Sequence, residues 1–277
     1  MKKSFSVLFL LFLLIFCLTS RTSRQEIPVL TQENQEKAYE NMLGSAVCIR
    51  GSSYCGSGSI FEIKKDEIII VTNRHVAEYF DEKSYVTFFY GGECVGSVIG
   101  CSDTADIGFI SVDPDGLKKQ EKKQLREIGK NRKAYENLNK NSCFFIVDIT
   151  GDISNPEIYR GAVVEKEKFL PDYGTEMLYG DGTAVPGMSG SGIFDYYGNY
   201  IGTLSGATDR YEIAGVPLTT VLAEYEKIKN PGSHDGMSRD FHSFIYIMLQ
   251  IKPSCLQPEL NGKLFWKLCS CDKRPLW

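Results

Sequence analysis

A chain of 277 residues with 43% hydrophobic side chains can bury a full core, and its 26 glycines among 15 tyrosines and 16 phenylalanines suit short strands and tight turns. A formal net charge of -4 excludes the broadly basic surface that draws nucleic acid, so no nucleic-acid partner is expected. Composition by itself goes no further than one compact domain, with room for two lobes.

Met1-Lys2-Lys3 is a short basic start, and Phe5 to Leu18 is an almost unbroken apolar run. That is the layout of a secretory signal, shorter than the roughly 20 apolar residues that span a bilayer. Residues 1–20 therefore read as a signal peptide or a membrane anchor, and Leu18-Thr19-Ser20 is only a fair cleavage site. Lys2 and Lys3 stay on the cytoplasmic side in either case, which places the rest of the chain outside, secreted or attached to the membrane. Residues 21–42 read as a polar spacer.

Without Cys17 the cysteines form an even set: Cys48, Cys55, Cys94, Cys101, Cys143, Cys255, Cys269 and Cys271. An even set outside the cytosol permits disulfides. A turn centred on Gly51-Ser52 is expected to bring Cys48 and Cys55 opposite each other, within bridging reach; reduced cysteines packed as small hydrophobes are the alternative.

From Leu43 to Val112 short apolar or β-branched runs follow one another, at Ser45–Ile49, Ser59–Ile63, Ile68–Thr72, Tyr85–Tyr90, Val95–Ile99 and Ile107–Val112. Strands in series without intervening helices argue for an all-β barrel or sandwich. Asp113 to Ser142 is rich in charge, with Leu117, Leu125, Ile128 and Leu138 at loosely helical spacing, and reads as a solvated helix or linker. Strand character returns at Cys143–Val147 and continues through Gly161–Val164, Ile193-Phe194, Tyr200–Gly202 and Ile213–Val216, before a closing helix over Thr219–Lys229. Two strand-rich blocks joined by a polar segment predict two antiparallel β-barrels packed together.

Three stretches carry chemistry. Ile68 to Ala77 is a buried strand that ends in a polar corner holding His75, the sole histidine before the last quarter of the chain. Asp103-Thr104-Ala105-Asp106-Ile107 places acids at the start of an apolar strand, a position Asp also takes for turn reasons. Gly187-Met188-Ser189-Gly190-Ser191-Gly192 lets the backbone adopt unusual angles and turn its N–H groups toward a point beside a serine hydroxyl. The order His75, Asp106, Ser189 is that of the chymotrypsin template.

At these residues the chain resembles trypsin-like peptidases of the bacterial type and is similar to the protease domain of the HtrA family. The resemblance rests on Gly56-Ser57-Gly58-Ser59-Ile60-Phe61, Thr72-Asn73-Arg74-His75-Val76, Ala105-Asp106-Ile107 and Pro186-Gly187-Met188-Ser189-Gly190, and covers roughly residues 43–228 of a peptidase domain expected over 43–230. It implies two six-stranded barrels and a serine endopeptidase working through an acyl-enzyme. Ser189 is then the nucleophile, His75 the base, Asp106 its orienting acid, with Asp103 as runner-up, and the N–H groups of Gly187 and Ser189 form the oxyanion hole.

By the same register Thr183 lies near the base of the pocket for the residue before the scissile bond (P1), with Ser205, Gly206 and Ala207 along a wall. No acid falls where a preference for Lys or Arg needs one, so small or medium apolar P1 residues are expected. Met188 stands where relatives carry Asp or Asn, which removes activation by pairing with a newly cut N-terminus. Cys55 stands where such enzymes often carry a cysteine, but the usual partner position holds Val76. A peptide-binding module with a degenerate site is the alternative to an active protease.

Residues 231–277 are too few for the PDZ domain of full HtrA proteins and read as an extension of unknown role. His234, His242, Cys255, Cys269 and Cys271 match no standard zinc spacing, and neither metal nor cofactor is expected. The sequence sets no oligomeric state.

Overall fold

The computed structural model describes residues 31–230. Its first lobe is organised around Ile68–Thr72, an unbroken β-branched run buried on both faces. Such a run has no solvent side and belongs in the middle of a sheet. This strand, β3, follows β1 (Ala46–Arg50) and β2 (Cys55–Ile63), and lies between β2 and the later β7 (Gly108–Val112). Alternation along β3 serves two cores. Ile68 and Ile70 join Val47, Ile49, Ile60 and Phe88 within the first lobe. Ile69 and Val71 join Phe61 and Phe109 in a cluster that continues into the second lobe.

The remaining strands of the first lobe are β4 (Tyr85–Phe88), β5 (Glu93–Cys94) and β6 (Gly96–Cys101). They complete a seven-stranded sheet in the order β5-β4-β1-β2-β3-β7-β6, where six strands were expected. The extra strand arises from one strand cut in two. Exposed Val95 separates β5, paired with β4, from β6, paired with β7. The two edges of the sheet are thus joined by a single residue, and the sheet curls back on itself. Gly96 permits this, since a Cβ there would lie 2.1 Å from the Ser111 carbonyl oxygen.

The second lobe is a closed antiparallel barrel, as the sequence predicts. Its strands are β8 (Cys143–Asp148), β9 (Glu157–Leu170), β10 (Thr175–Asp181), β11 (Gly192–Asp195), β12 (Tyr200–Ala207) and β13 (Glu212–Pro217), in the order β10-β13-β12-β11-β8-β9.

Three further departures have simple causes. The stretch read as spacer is helical from Gln32, where α1 (Gln32–Ser45) buries Ala38, Met42 and Leu43. The short helix α2 (Arg74–Ala77) follows β3 directly. The charged segment after β7 is a 3-10 turn (Pro114–Gly116) and two short helices, α3 (Lys119–Gln124) and α4 (Arg132–Glu136), rather than one helix. Its aliphatic side chains are anchors: Leu117 and Leu125 are buried with the first core, Ile128 and Leu138 with the second.

The expected pairing of Cys48 with Cys55 is also corrected. Cys48 faces Ser57 and Cys55 faces Arg50, so the two cysteines are diagonal neighbours. Their sulfurs lie 3.7 Å apart, in hydrogen-bond contact rather than at bonding distance. The turn Gly51–Tyr54 is centred on Ser52-Ser53, one residue later than the symmetric placement assumed, and is closed by the Gly51 N–H bonding the Tyr54 carbonyl (3.1 Å). Residues 1–20 and 231–277, with their leader, histidines and cysteines, lie outside the described residues.

Helix α5 (Leu218–Lys229) ties the lobes together. It leaves β13, buries Leu218, Val221 and Tyr225, and sets the Tyr225 ring against Phe61 (4.5 Å between centroids) and Phe109 (5.0 Å) of the first lobe. The Tyr225 hydroxyl donates to Glu62 Oε2 at 2.7 Å. This fixes the seam into which the ends of β3 and the loop before β11 both project.

Candidate active site

β3 delivers its polar corner to that seam. Asn73 is extended (φ -75°, ψ 153°), and the chain then turns into α2, which carries His75. His75 Nδ1 lies 2.9 Å from Asp106 Oδ1 and 3.0 Å from Oδ2, and the His75 N–H also donates to Oδ1 at 3.2 Å. One carboxylate thus holds both the ring and the backbone of the histidine. An acceptor at Nδ1 selects the tautomer with its proton there and leaves Nε2 free to accept one.

Asp106 is set by its loop. Ser102 Oγ accepts from the N–H groups of Thr104 (3.1 Å) and Ala105 (2.9 Å), and Ala105 and Ile107 on either side are buried. Asp103 is exposed and forms no pair with His75, so the geometry separates the two acids that the sequence left in competition.

Ser189 comes from the second lobe, between Gly187 (φ +99°) and Gly190 (φ +94°), both in the left-handed region that favours glycine. Space requires glycine at the second position as well, because a Cβ on Gly190 would meet the Ser57 carbonyl oxygen at 2.0 Å. The peptide between Gly187 and Met188 is held at both ends. Its carbonyl accepts from Ser57 Oγ (2.9 Å), and its N–H donates to the Val185 carbonyl (3.1 Å). Between Val185 and Ser191 the N–H groups of Gly187 and Ser189 are the two that donate no hydrogen bond among the described residues. They are the two assigned to the oxyanion hole. No hydrogen bond joins Ser189 Oγ to His75 among the described residues; such contacts commonly tighten only with substrate in place.

Met188 is fully buried, and its Sδ accepts from the Val185 N–H at 3.2 Å. A neutral thioether thus occupies the position after Gly187 and closes the loop on itself.

Of the residues read as pocket wall, Ser205, Gly206 and Ala207 are buried in β12, but Thr183 is exposed on the loop after β10. Ser205 sits at a register shift: Leu204 faces Gly215 and Gly206 faces Ala214, which leaves Ser205 unpaired in the ladder. Such bulges re-aim a side chain, and Ser205 Oγ meets Asn73 Nδ2 at 3.1 Å.

Two participants escaped the sequence reading. Ser57 was visible as part of Gly56-Ser57-Gly58, but nothing there announced that its hydroxyl reaches across the lobes. Tyr173, on the turn between β9 and β10, carries no motif; burial and then the charge of Asp106 push its hydroxyl pKa up. Among the described residues no group of His, Cys, Asp or Glu is gathered as a metal site would be.

A curled sheet and a closed β-barrel, with a His–Asp pair on the first and a glycine-flanked serine on the second, define the chymotrypsin-like fold. The chain belongs to the trypsin-like peptidase family, whose domain matches residues 56–202. Three solved structures share the fold. The HtrA-type protease AlgW with a tripeptide is 18% identical, with 72% of this chain and 64% of that one covered at a TM-score of 0.60. A variant of AlgW with a decapeptide is 16% identical, covering 72% and 67% at 0.57. Rv3671c from M. tuberculosis H37Rv, a serine-to-alanine mutant in its inactive form, is 17% identical, covering 72% and 93% at 0.56. No curated protein matches the sequence.

Proposed function

We propose that this trypsin-like peptidase is a serine endopeptidase with Ser189 as nucleophile, His75 as general base and Asp106 as its orienting acid. The observation that carries the reading is the double hold of Asp106 on His75, at 2.9 Å to the ring and 3.2 Å to the backbone. It leaves Nε2 as the ring nitrogen that can accept a proton from Ser189. Ser189 Oγ attacks a peptide carbonyl carbon while its proton passes to His75 Nε2, and the carbonyl oxygen takes the negative charge. The unengaged N–H groups of Gly187 and Ser189 receive that charge. Collapse breaks the C–N bond, His75 returns the proton to the leaving amine, and water then cleaves the acyl-enzyme by the same route in reverse.

The substrate class is protein or peptide, which accords with the peptides bound in the AlgW structures. Ser205, Gly206 and Ala207 put no charge on the pocket wall, which favours small or medium apolar P1 residues. The leader over residues 1–20 places the enzyme outside the cytoplasm, released or held at the membrane.

A fluorophosphonate probe tests the nucleophile. Labelling of the parent protein at Ser189, absent in Ser189→Ala, together with a fall in kcat of about 10⁶ or to background, is the expected result. A parent that binds peptides but takes no label is the degenerate binding module instead.

A further inference from the structure

Asn73 stands at the N-terminus of α2, where an asparagine side chain ordinarily accepts from the helix's own N–H groups. Here it makes no such bond. It is completely buried and turned the other way, its Nδ2 donating to the Asp106 carbonyl at 3.0 Å and to Ser205 Oγ at 3.1 Å. The capping bond it forgoes is made by Asp106, whose Oδ1 accepts from the His75 N–H. The two residues have exchanged tasks. Asp106 holds the backbone of the helix that Asn73 begins, and Asn73 holds the backbone of Asp106.

The orientation of the amide follows from its neighbour. The Asp106 carbonyl can only accept, so it must face the NH₂ end, and Asn73 Oδ1 is left buried without a partner. A side chain that gives up a cap and strands a buried oxygen is placed for what its other end does. That end spans the seam: β3 and the Asp106 loop belong to the first lobe, and Ser205 to the bulge of β12 in the second. Among the described residues no hydrogen bond runs directly from Ser205 to the Asp106 carboxylate, so the link between them passes through the Asn73 amide.

We infer that Asn73 is a positioning residue for the reaction proposed above. Its amide fixes the Asp106 backbone to the second lobe through Ser205 and so keeps the carboxylate under His75 as substrate enters the seam. The inference rests on the triad reading for its kinetic consequence but not for its geometry.

The test uses Asn73→Ala, Ser205→Ala and the double variant in the full chain, each checked for folding by thermal melting. With a peptide substrate, Asn73→Ala is expected to lower kcat about tenfold and Ser205→Ala about threefold, with KM within about twofold of the parent. The double variant should cost no more than Asn73→Ala alone, because both break one link. In proton NMR the low-field resonance of the His75 Nδ1–H should shift or broaden in each folded variant. Where Asn73→Ala fails to fold, Ser205→Ala, which removes a single oxygen, decides on the same readouts.

Unchanged kcat, a loss confined to KM, additive losses, or an unmoved resonance each overturn the inference. A parent inert to fluorophosphonate overturns the protease reading, and the resonance then decides the role of Asn73 by itself.

Discussion

Ser57 binds the nucleophile loop twice: its hydroxyl donates to the Gly187 carbonyl at 2.9 Å, and its N–H donates to the Ser189 carbonyl at 2.8 Å. Both bonds run from β2 of the first lobe to the loop of the second. The hydroxyl bond fixes the plane of the Gly187–Met188 peptide, and with it the backbone on which the Gly187 and Ser189 N–H groups are aimed. Ser57→Ala keeps the backbone bond and loses the hydroxyl one, a net change of about 1 kcal/mol. The expected result is a fall in kcat of roughly five- to tenfold at near-parent KM, read from peptide hydrolysis. A change in KM alone would show that the loop is set without Ser57.

Met188 leads to a stability prediction. Its side chain is fully buried and its Sδ takes the Val185 N–H. In Met188→Leu the volume is kept and only the weak sulfur bond is lost, so urea denaturation should show a cost under about 1.5 kcal/mol. Met188→Asp puts a carboxylate into the hydrophobic cluster that Met188 joins, and should cost on the order of 3 kcal/mol or more. Equal stability of the aspartate variant would mean that a positive charge reaches this site.

The cysteine pair offers a prediction against oxidation. Cys48 and Cys55 are diagonal across β1 and β2, and closing their 3.7 Å gap to the roughly 2.05 Å of a disulfide requires the strands to shift. The Cys55 thiol pKa is also pushed up, first by its hydrogen bond with Cys48 and then by burial, which starves the exchange reaction of thiolate. Folded protein held at pH 7.5 with oxidised glutathione should therefore show no 2 Da loss at this pair by mass spectrometry over several hours, whereas urea-unfolded protein should oxidise readily. Rapid bridging in the folded state would show that the two strands slide.

What could be read from the sequence divides along physical lines. β3 and His75 were legible because a β-branched run ending in a polar corner has one reading, and the serine loop because glycines cluster where backbone angles are unusual. The split at Val95 was not, since hydrogen-bond partners change there without any change in residue type. Nor was the long β9–β10 hairpin, whose Glu165-Lys166-Glu167-Lys168 stretch carries no apolar alternation, though Val163 and Leu170 on either side are buried. α1 was hidden by its polarity, because only Ala38, Met42 and Leu43 along its length betray a buried side. Near the candidate site, Ser57 and Asn73 carry hydrogen bonds from one lobe to the other that the motifs holding them did not announce. Sequence spacing holds no record of contacts between residues 130 positions apart, the separation of Ser57 from Gly187.

The hold of α5 on the first lobe should depend on pH. Glu62 is held below the usual carboxylate range, chiefly by the hydrogen bond from Tyr225 and secondarily by the neighbouring lysines, Lys64 foremost. A carboxylate whose pKa is lower folded than unfolded adds stability that is complete above the unfolded value, about 4.3, and is lost as pH falls through the folded one. Tyr225→Phe keeps the ring against Phe61 and Phe109 and removes the donor. With Glu62 partly open to solvent, the loss at pH 7 should be about 1 kcal/mol, or roughly 2–4 °C in Tm. The gap between parent and variant should then narrow steadily below about pH 4.3, as Glu62 takes up its proton in both. Melting curves at pH 7, 5, 4 and 3 measure it directly. A gap that stays constant across that range would place the contribution of Tyr225 in ring packing alone, and α5 would then be fastened to the first lobe without the aid of Glu62.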